Sequence, residues 1–284
     1  MTKYRLLILF FLIISQIMVF GNPNIDESTA GYSINWKDQQ LEIVITSTFF
    51  DMTKPLPSIK FNTEKNIEKR LNYILLNGIE LLTIDSRTRG EDFIKMHPSV
   101  IDSIFDIVPS MIKEHSLFTP DLKSLDTKYT LDIYPDIAAL FIPHSRTSTV
   151  TPTLDFISSA DFSGIVIYVD NMLPLYGKQN TGSFSPSLFP RIFDEELNLV
   201  IGPLMVDPEI IKITGTVGYQ GLSDTIDLVR IGHNPIKVKA RGIFGINNTD
   251  LIISTREADK ILSRQNNIDL IRQGKILIIY DQID

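Results

Sequence analysis

"YSINWKDQQLEIVITSTF", residues 32–49, decides how this chain is read. Ile34 and Trp36 run into Lys37-Asp38-Gln39, and Leu41, Ile43 and Ile45 then alternate with less apolar neighbours. Successive side chains on a strand point to opposite faces, so this period describes two strands joined by a short polar turn. A hairpin with one buried face is therefore expected. Pro55 and Pro57 end the second strand, because proline cannot donate to a ladder.

Downstream the period changes. Ile67, Leu71, Ile74, Leu75 and Leu82 recur at helical spacing, with Asn62 or Thr63 as the cap. A second helix follows Pro98, placing Val100, Ile101, Ile104, Phe105, Val108 and Ile112 on one side. Residues 128–143 read as a long strand with an irregularity at Pro135. "SRTSTVTPT" (145–153) is small, polar and proline-containing, which suits a linker. Beyond it come short strands at 164–169, 188–193, 199–201, 225–231, 236–240, 250–254 and 275–280. One helix interrupts them, opened by a capping box between Ser254 and Glu257; a shorter one over 267–273 stops at Gly274. The fold expected is α+β: a strand-hairpin and two-helix domain over 22–144, the linker 145–153, and a β-rich domain over 154–284 with one or two short helices.

The start of the chain points to a compartment. Lys3 and Arg5 precede an apolar run over 6–20, followed by Gly21 and Asn22. Basic start, apolar middle and small residue form the pattern of a secretory signal peptide over 1–21, cleaved between Gly21 and Asn22. The run is short for a spanning helix, which needs about 20 residues. With no cysteine in the chain, disulfides and the cysteine-linked lipid anchor are both absent. The expected product is a periplasmic or envelope protein, dissolved or peripheral at a membrane. Net charge is −7 with no dense basic run, which argues against nucleic acid.

No stretch carries a recognisable reaction. His97, His115, His144 and His233 are scattered, without the clustering a metal site needs, and neither metal nor cofactor is expected. "GTVGYQG" (215–221) lacks the lysine and the strand–loop–helix setting of a phosphate loop, so its glycines read as turn or close-approach positions. No G-x-S-x-G elbow marks a serine nucleophile. The sharpest acidic cluster is Asp194-Glu195-Glu196, at the end of "SPSLFPRIFDEE" (185–196). Apolar runs on both sides make it a hairpin turn, with Pro186 and Pro190 marking an irregular strand and Arg191 a local charge partner. A catalytic reading of Asp194 or Glu195 would require a concave pocket there. For a small ligand or envelope glycan, the loop 170–186 offers Tyr176, Lys178 and Phe184 as contacts.

The order of blocks resembles one family. "INWKDQQLEI", a long helix and "IELLTIDSRTRGEDF" are followed by "FSGIVIYV", "SPSLFPRIFDEELNLVIG", "VGYQG", "VRIGHNPIKVKA" and "DLIISTREADKIL". Together they are similar to the FlgP-type cell-envelope and flagellar-ring lipoproteins and their larger relatives. Tyr168-Val169-Asp170-Asn171 stands where relatives place Asp-Ala-Arg-Gly, and Glu196-Leu197 replaces a turn glycine. The anchoring cysteine is missing as well. The resemblance implies a non-enzymatic periplasmic assembly or scaffold protein that associates with itself or with envelope or flagellar proteins. It supplies no catalytic set. The alternative is a periplasmic binding module for a small ligand or glycan.

Overall fold

A computed structural model describes residues 28–49, 54–153 and 157–281. The signal segment and its Gly21–Asn22 junction lie outside the described residues. The opening hairpin forms from β1 (Ser28–Asn35) and β2 (Gln40–Thr48), antiparallel, with Tyr32 opposite Ile43 and Ile34 opposite Leu41. Leu41, Ile43 and Ile45 are buried, as their alternation requires.

Four helices follow: α1 (Leu56–Glu68), α2 (Leu71–Glu80), α3 (Gly90–Met96) and α4 (Val100–Asp106). β3 (Ile112–Phe118) and β4 (Ser124–Asp132) then complete a sheet of order β1-β2-β4-β3. Several boundaries differ from the sequence pattern for local reasons. The helix expected from Asn62 begins at Leu56, because Pro57 sits in its first turn, where a missing N–H breaks no helical bond. The single long helix expected is two, divided at Lys69 and Arg70. α3 shows no periodicity to read, because Ile94 is its one buried apolar side chain. It starts hard against α2: a Cβ on Gly90 would lie 1.9 Å from the Ile79 carbonyl oxygen. Ile112 opens β3 rather than extending α4. The strand expected over 128–143 stops at Asp132, and helical turns at Ile133–Ile137 and Ala138–Leu140 take over around Pro135.

The second half runs β5 (Ile165–Val169), β6 (Leu173–Pro174), β7 (Thr181–Gly182), β8 (Ile192–Phe193), β9 (Leu199–Ile201), α5 (Pro208–Thr214), β10 (Gly218–Gly221), α6 (Leu228–Ile231), β11 (Ile236–Lys239), β12 (Gly242–Phe244), β13 (Asp250–Ile252), α7 (Thr255–Leu262), α8 (Gln265–Arg272) and β14 (Ile276–Tyr280). Its centre is a wholly parallel sheet of order β10-β14-β5-β11. The two middle strands, IVIYV and ILIIY, are apolar throughout because both their faces are covered. Ile165, Ile167 and Val169 enter the main core, while Val166 packs with Ile231, Leu277 and Ile279 on the other side. A second sheet, β12-β13-β8-β9, and the small β6–β7 hairpin lie outside this one. The architecture is α+β, with four short helices in this half among the described residues rather than one or two. The strand expected over 225–231 is a loop and α6, where the Asp227 carboxylate accepts the N–H groups of Val229 and Arg230. The glycine run divides: Gly215, at φ 80°, closes α5 against the Tyr134 ring, and Gly218 and Gly221 bound β10. At α7, Ser254 Oγ accepts the Glu257 N–H and donates to its carboxylate at 2.8 Å, so the cap stands where the motif put it.

One continuous core runs through both halves. It joins Ile43, Leu75 and Ile104 to Ile167, Ile278 and Ile261. The segment 145–153 lies along the second half, with the Ser148 N–H on the Leu204 carbonyl at 2.7 Å and the Thr153 N–H on Leu262 at 3.1 Å. No helix among the described residues is long and apolar enough to cross a membrane.

Burial raises four tyrosines above their ordinary value: Tyr32, Tyr129 (to about 12), Tyr134 and, strongly, Tyr219. In the unfolded chain they ionise near pH 10, so folded-state stability is full below about pH 10 and is lost as pH rises through the folded values. Urea midpoints measured from pH 8 to 12 should be flat at first. They should then fall, as the unfolding free energy drops by up to about 1.4 kcal/mol per pH unit for each tyrosine.

Candidate functional site

Trp36 occupies the tip of the first hairpin and is 8% exposed. Its ring and that of Tyr219 on β10 meet edge to face, with centroids 5.5 Å apart. Tyr219 lies 6.1 Å from Tyr280 on β14 and 6.2 Å from Phe184, and Phe184 stands 5.6 Å from Tyr280. The Tyr219 hydroxyl donates to the Ser187 carbonyl at 2.8 Å and accepts the Ser187 N–H at 3.1 Å. These rings tie the first hairpin to the carboxyl end of the parallel sheet. An ion pair of 2.7 Å between Lys37 and Asp224 reinforces the junction from outside.

Beside this aromatic junction lies a cleft of about 650 Å³. One wall is Ser33, Ile34, Asn35 and Trp36, with Glu42 from β2. The facing wall is Val169, Asp170 and Asn171 after β5, and Tyr280 and Asp281 at the end of β14; Ser183, Phe184, Ser185 and Pro186 close the third side. Clefts outside the carboxyl ends of parallel strands are where open α/β sheets hold ligands, because the connections diverge there. Here the chain leaves β5 for the β6–β7 hairpin rather than for a helix. The lining holds three carboxylates and neither lysine, arginine nor histidine. It therefore offers acceptors to hydroxyl and ammonium donors, although lysines outside the lining already meet two of the three carboxylates. Asp170 meets Lys239 at 2.9 Å, Glu42 meets Lys128 at 2.9 Å, and Asn171 Nδ2 donates to Asp281 Oδ2 at 2.8 Å.

Of the three loop residues proposed as ligand contacts, Phe184 stands in this lining. Tyr176 packs its ring on Phe244 at 6.1 Å, and neither it nor Lys178 lines the cleft. The wall residues from β1 and the ends of β5 and β14 carry no motif. Only the strand order, which brings residues 33–36, 169–171 and 280–281 together, reveals them.

The acidic cluster forms the β8–β9 turn. Asp194 is buried, not solvated, and organises that turn by accepting the N–H groups of Glu196 and Asn198 and the Asn198 amide. Leu197 supplies the left-handed residue, at φ 63°, in place of a glycine. Glu195 and Glu196 are exposed, and none of the three acids lines the cleft. Arg191 pairs with Asp250 rather than with the neighbouring acids. Its Nη2 lies 2.7 Å from Asp250 Oδ2 and 2.6 Å from Ser86 Oγ, and its backbone N–H reaches Asp250 Oδ1 at 3.1 Å. Ser86 belongs to a segment clasped by the second half: Leu188 and Phe189 donate to Thr83 and Ile84, and Ile246 and Asn247 to Ser86. Among the described residues no group of three or more His, Asp or Glu could hold a metal ion.

Two family models match the chain. The amino-terminal domain of Treponema pallidum Tp0624 matches residues 27–140, and the second domain of the same protein matches residues 164–282. Neither is a model of the flagellar-ring lipoproteins. A search of the curated proteins finds no match.

Proposed function

We propose that this chain, whose halves match the Tp0624 amino-terminal and second domains in tandem, is an exported, non-enzymatic assembly protein of the cell envelope that holds a partner in the cleft. The cleft carries this reading. Its walls come from two sheets fixed on one core, so a partner meets a surface already formed and less ordering cost opposes binding. The basic-then-apolar start over 1–21 supports export. A flagellar setting rests on the order of sequence blocks alone. The second reading, a module for a small ligand or envelope glycan, is favoured by the cleft's volume and by aromatic rings beside acceptor groups.

A photo-crosslinking residue at position 35 in cells should give a defined protein adduct, and one at position 212, on α5, should not. Adducts from both positions, or from neither, would remove the assembly reading. The small-ligand reading expects no adduct at position 35 and a rise in melting temperature with soluble envelope-glycan fragments.

A further inference from the structure

The two edges of the amino-terminal sheet are built differently. β3 carries Lys113, Glu114 and His115, and its register slips between Lys113 and His115. Lys113 also leans toward Glu64 of α1 at 3.8 Å. Charge and bulges are how natural sheets keep foreign strands from an edge. β1 has neither. STAGYSIN contains no charged residue and no proline, and it pairs with β2 through eight unbroken positions. Among the described residues β2 is the strand it pairs with.

The carboxyl end of this unprotected strand is a wall of the cleft, through Ser33, Ile34 and Asn35. Opposite it, Tyr280 pairs with Val169, and Asp281 and Asp170 are the residues that follow directly past the ends of β14 and β5. Glu42 stands opposite Ser33 on β2 and adds a third carboxylate. An edge open among the described residues thus runs into a cleft lined by three carboxylates, two of them in solvent-accessible pairs with Lys239 and Lys128, and by aromatic and hydroxyl groups.

We infer that the partner enters as an extended, basic polypeptide segment that adds to β1 as a fifth strand. Its main chain pairs with the β1 edge, and its lysine or arginine side chains meet Asp281 and exchange with Lys239 and Lys128 at Asp170 and Glu42, pairs that solvent keeps weak. Main-chain pairing supplies affinity with little demand on sequence, and the acids select the charge. This rests on the assembly reading above and names the chemistry of its partner.

The probe is a fluorescent decamer of alternating lysine and threonine, titrated against the full chain by anisotropy. Two relatives accompany it, one with glutamate for lysine and one with every backbone N–H methylated. Saturable binding is expected for the lysine peptide, falling as salt rises, with at least a tenfold loss for each relative. Asp170→Asn with Asp281→Asn should weaken it threefold or more, and amide exchange should slow across β1 but not β3. Equal binding of the glutamate or methylated peptide, unchanged exchange at β1, or no binding of the lysine peptide would overturn the inference. If crosslinks at position 35 persist in that case, strand addition alone falls. If they vanish too, the assembly reading falls with it.

Discussion

Replacing Arg191 by alanine should cost roughly 2–4 kcal/mol of folding stability: removing one partner of a buried ion pair costs about 3–5, and solvent screens part of this one because the Arg191 side chain is 32% exposed. Asp250 is fully buried, and the guanidinium holds both its Oδ2 and the Ser86 hydroxyl. Without the guanidinium the carboxylate keeps one described bond, from the Arg191 backbone N–H, and its charge stands uncompensated. The loss is shared between the halves, since Ser86 belongs to the first and Asp250 to the second. Arg191→Met with Asp250→Leu should recover most of it, because a well-packed apolar pair often replaces a buried ion pair at little cost. Urea unfolding followed through Trp36, the single tryptophan, reads both. A loss below about 1 kcal/mol in the single variant would show that the pair does not hold the seam.

Local periodicity carried the hairpin, most of the second-half strands, the Ser254 cap and the Gly274 stop, because each depends on residues close in sequence. The parallel order of the central sheet was not legible. A short apolar run such as IVIYV says that a strand is covered on both faces, and its direction is set by distant partners. The same limit explains Asp194 and Arg191. A polar triplet beside an apolar run looks like a solvated turn, and only the fold shows Asp194 buried inside that turn and Arg191 aimed at Asp250, 59 positions away. The cleft lies furthest from sequence reasoning. Phe184 could be guessed from its loop, whereas Ser33, Asp170 and Asp281 sit at strand ends that become neighbours only when the halves close on each other.

That closure makes Trp36→Ala the second large effect. Truncating a buried tryptophan costs roughly 3–5 kcal/mol through lost burial and the space left behind. Here the space opens between the first hairpin and β10, where Trp36 meets Tyr219, and it removes part of the cleft wall as well. Because the main core runs from Ile43 to Ile278, the wild-type chain should unfold in one transition by circular dichroism. If the aromatic junction is what couples the halves, the variant should unfold in two, the earlier one at lower urea. Trp36→Phe, which keeps a ring against Tyr219, should lose less and stay cooperative. The outcome separates two sources of cohesion. A single transition shifted to lower urea would assign the coupling to the shared core and to the Arg191–Asp250–Ser86 seam, leaving Trp36 as packing. Two transitions would place the coupling at the cleft, so that a bound strand along β1 would stabilise both halves at once.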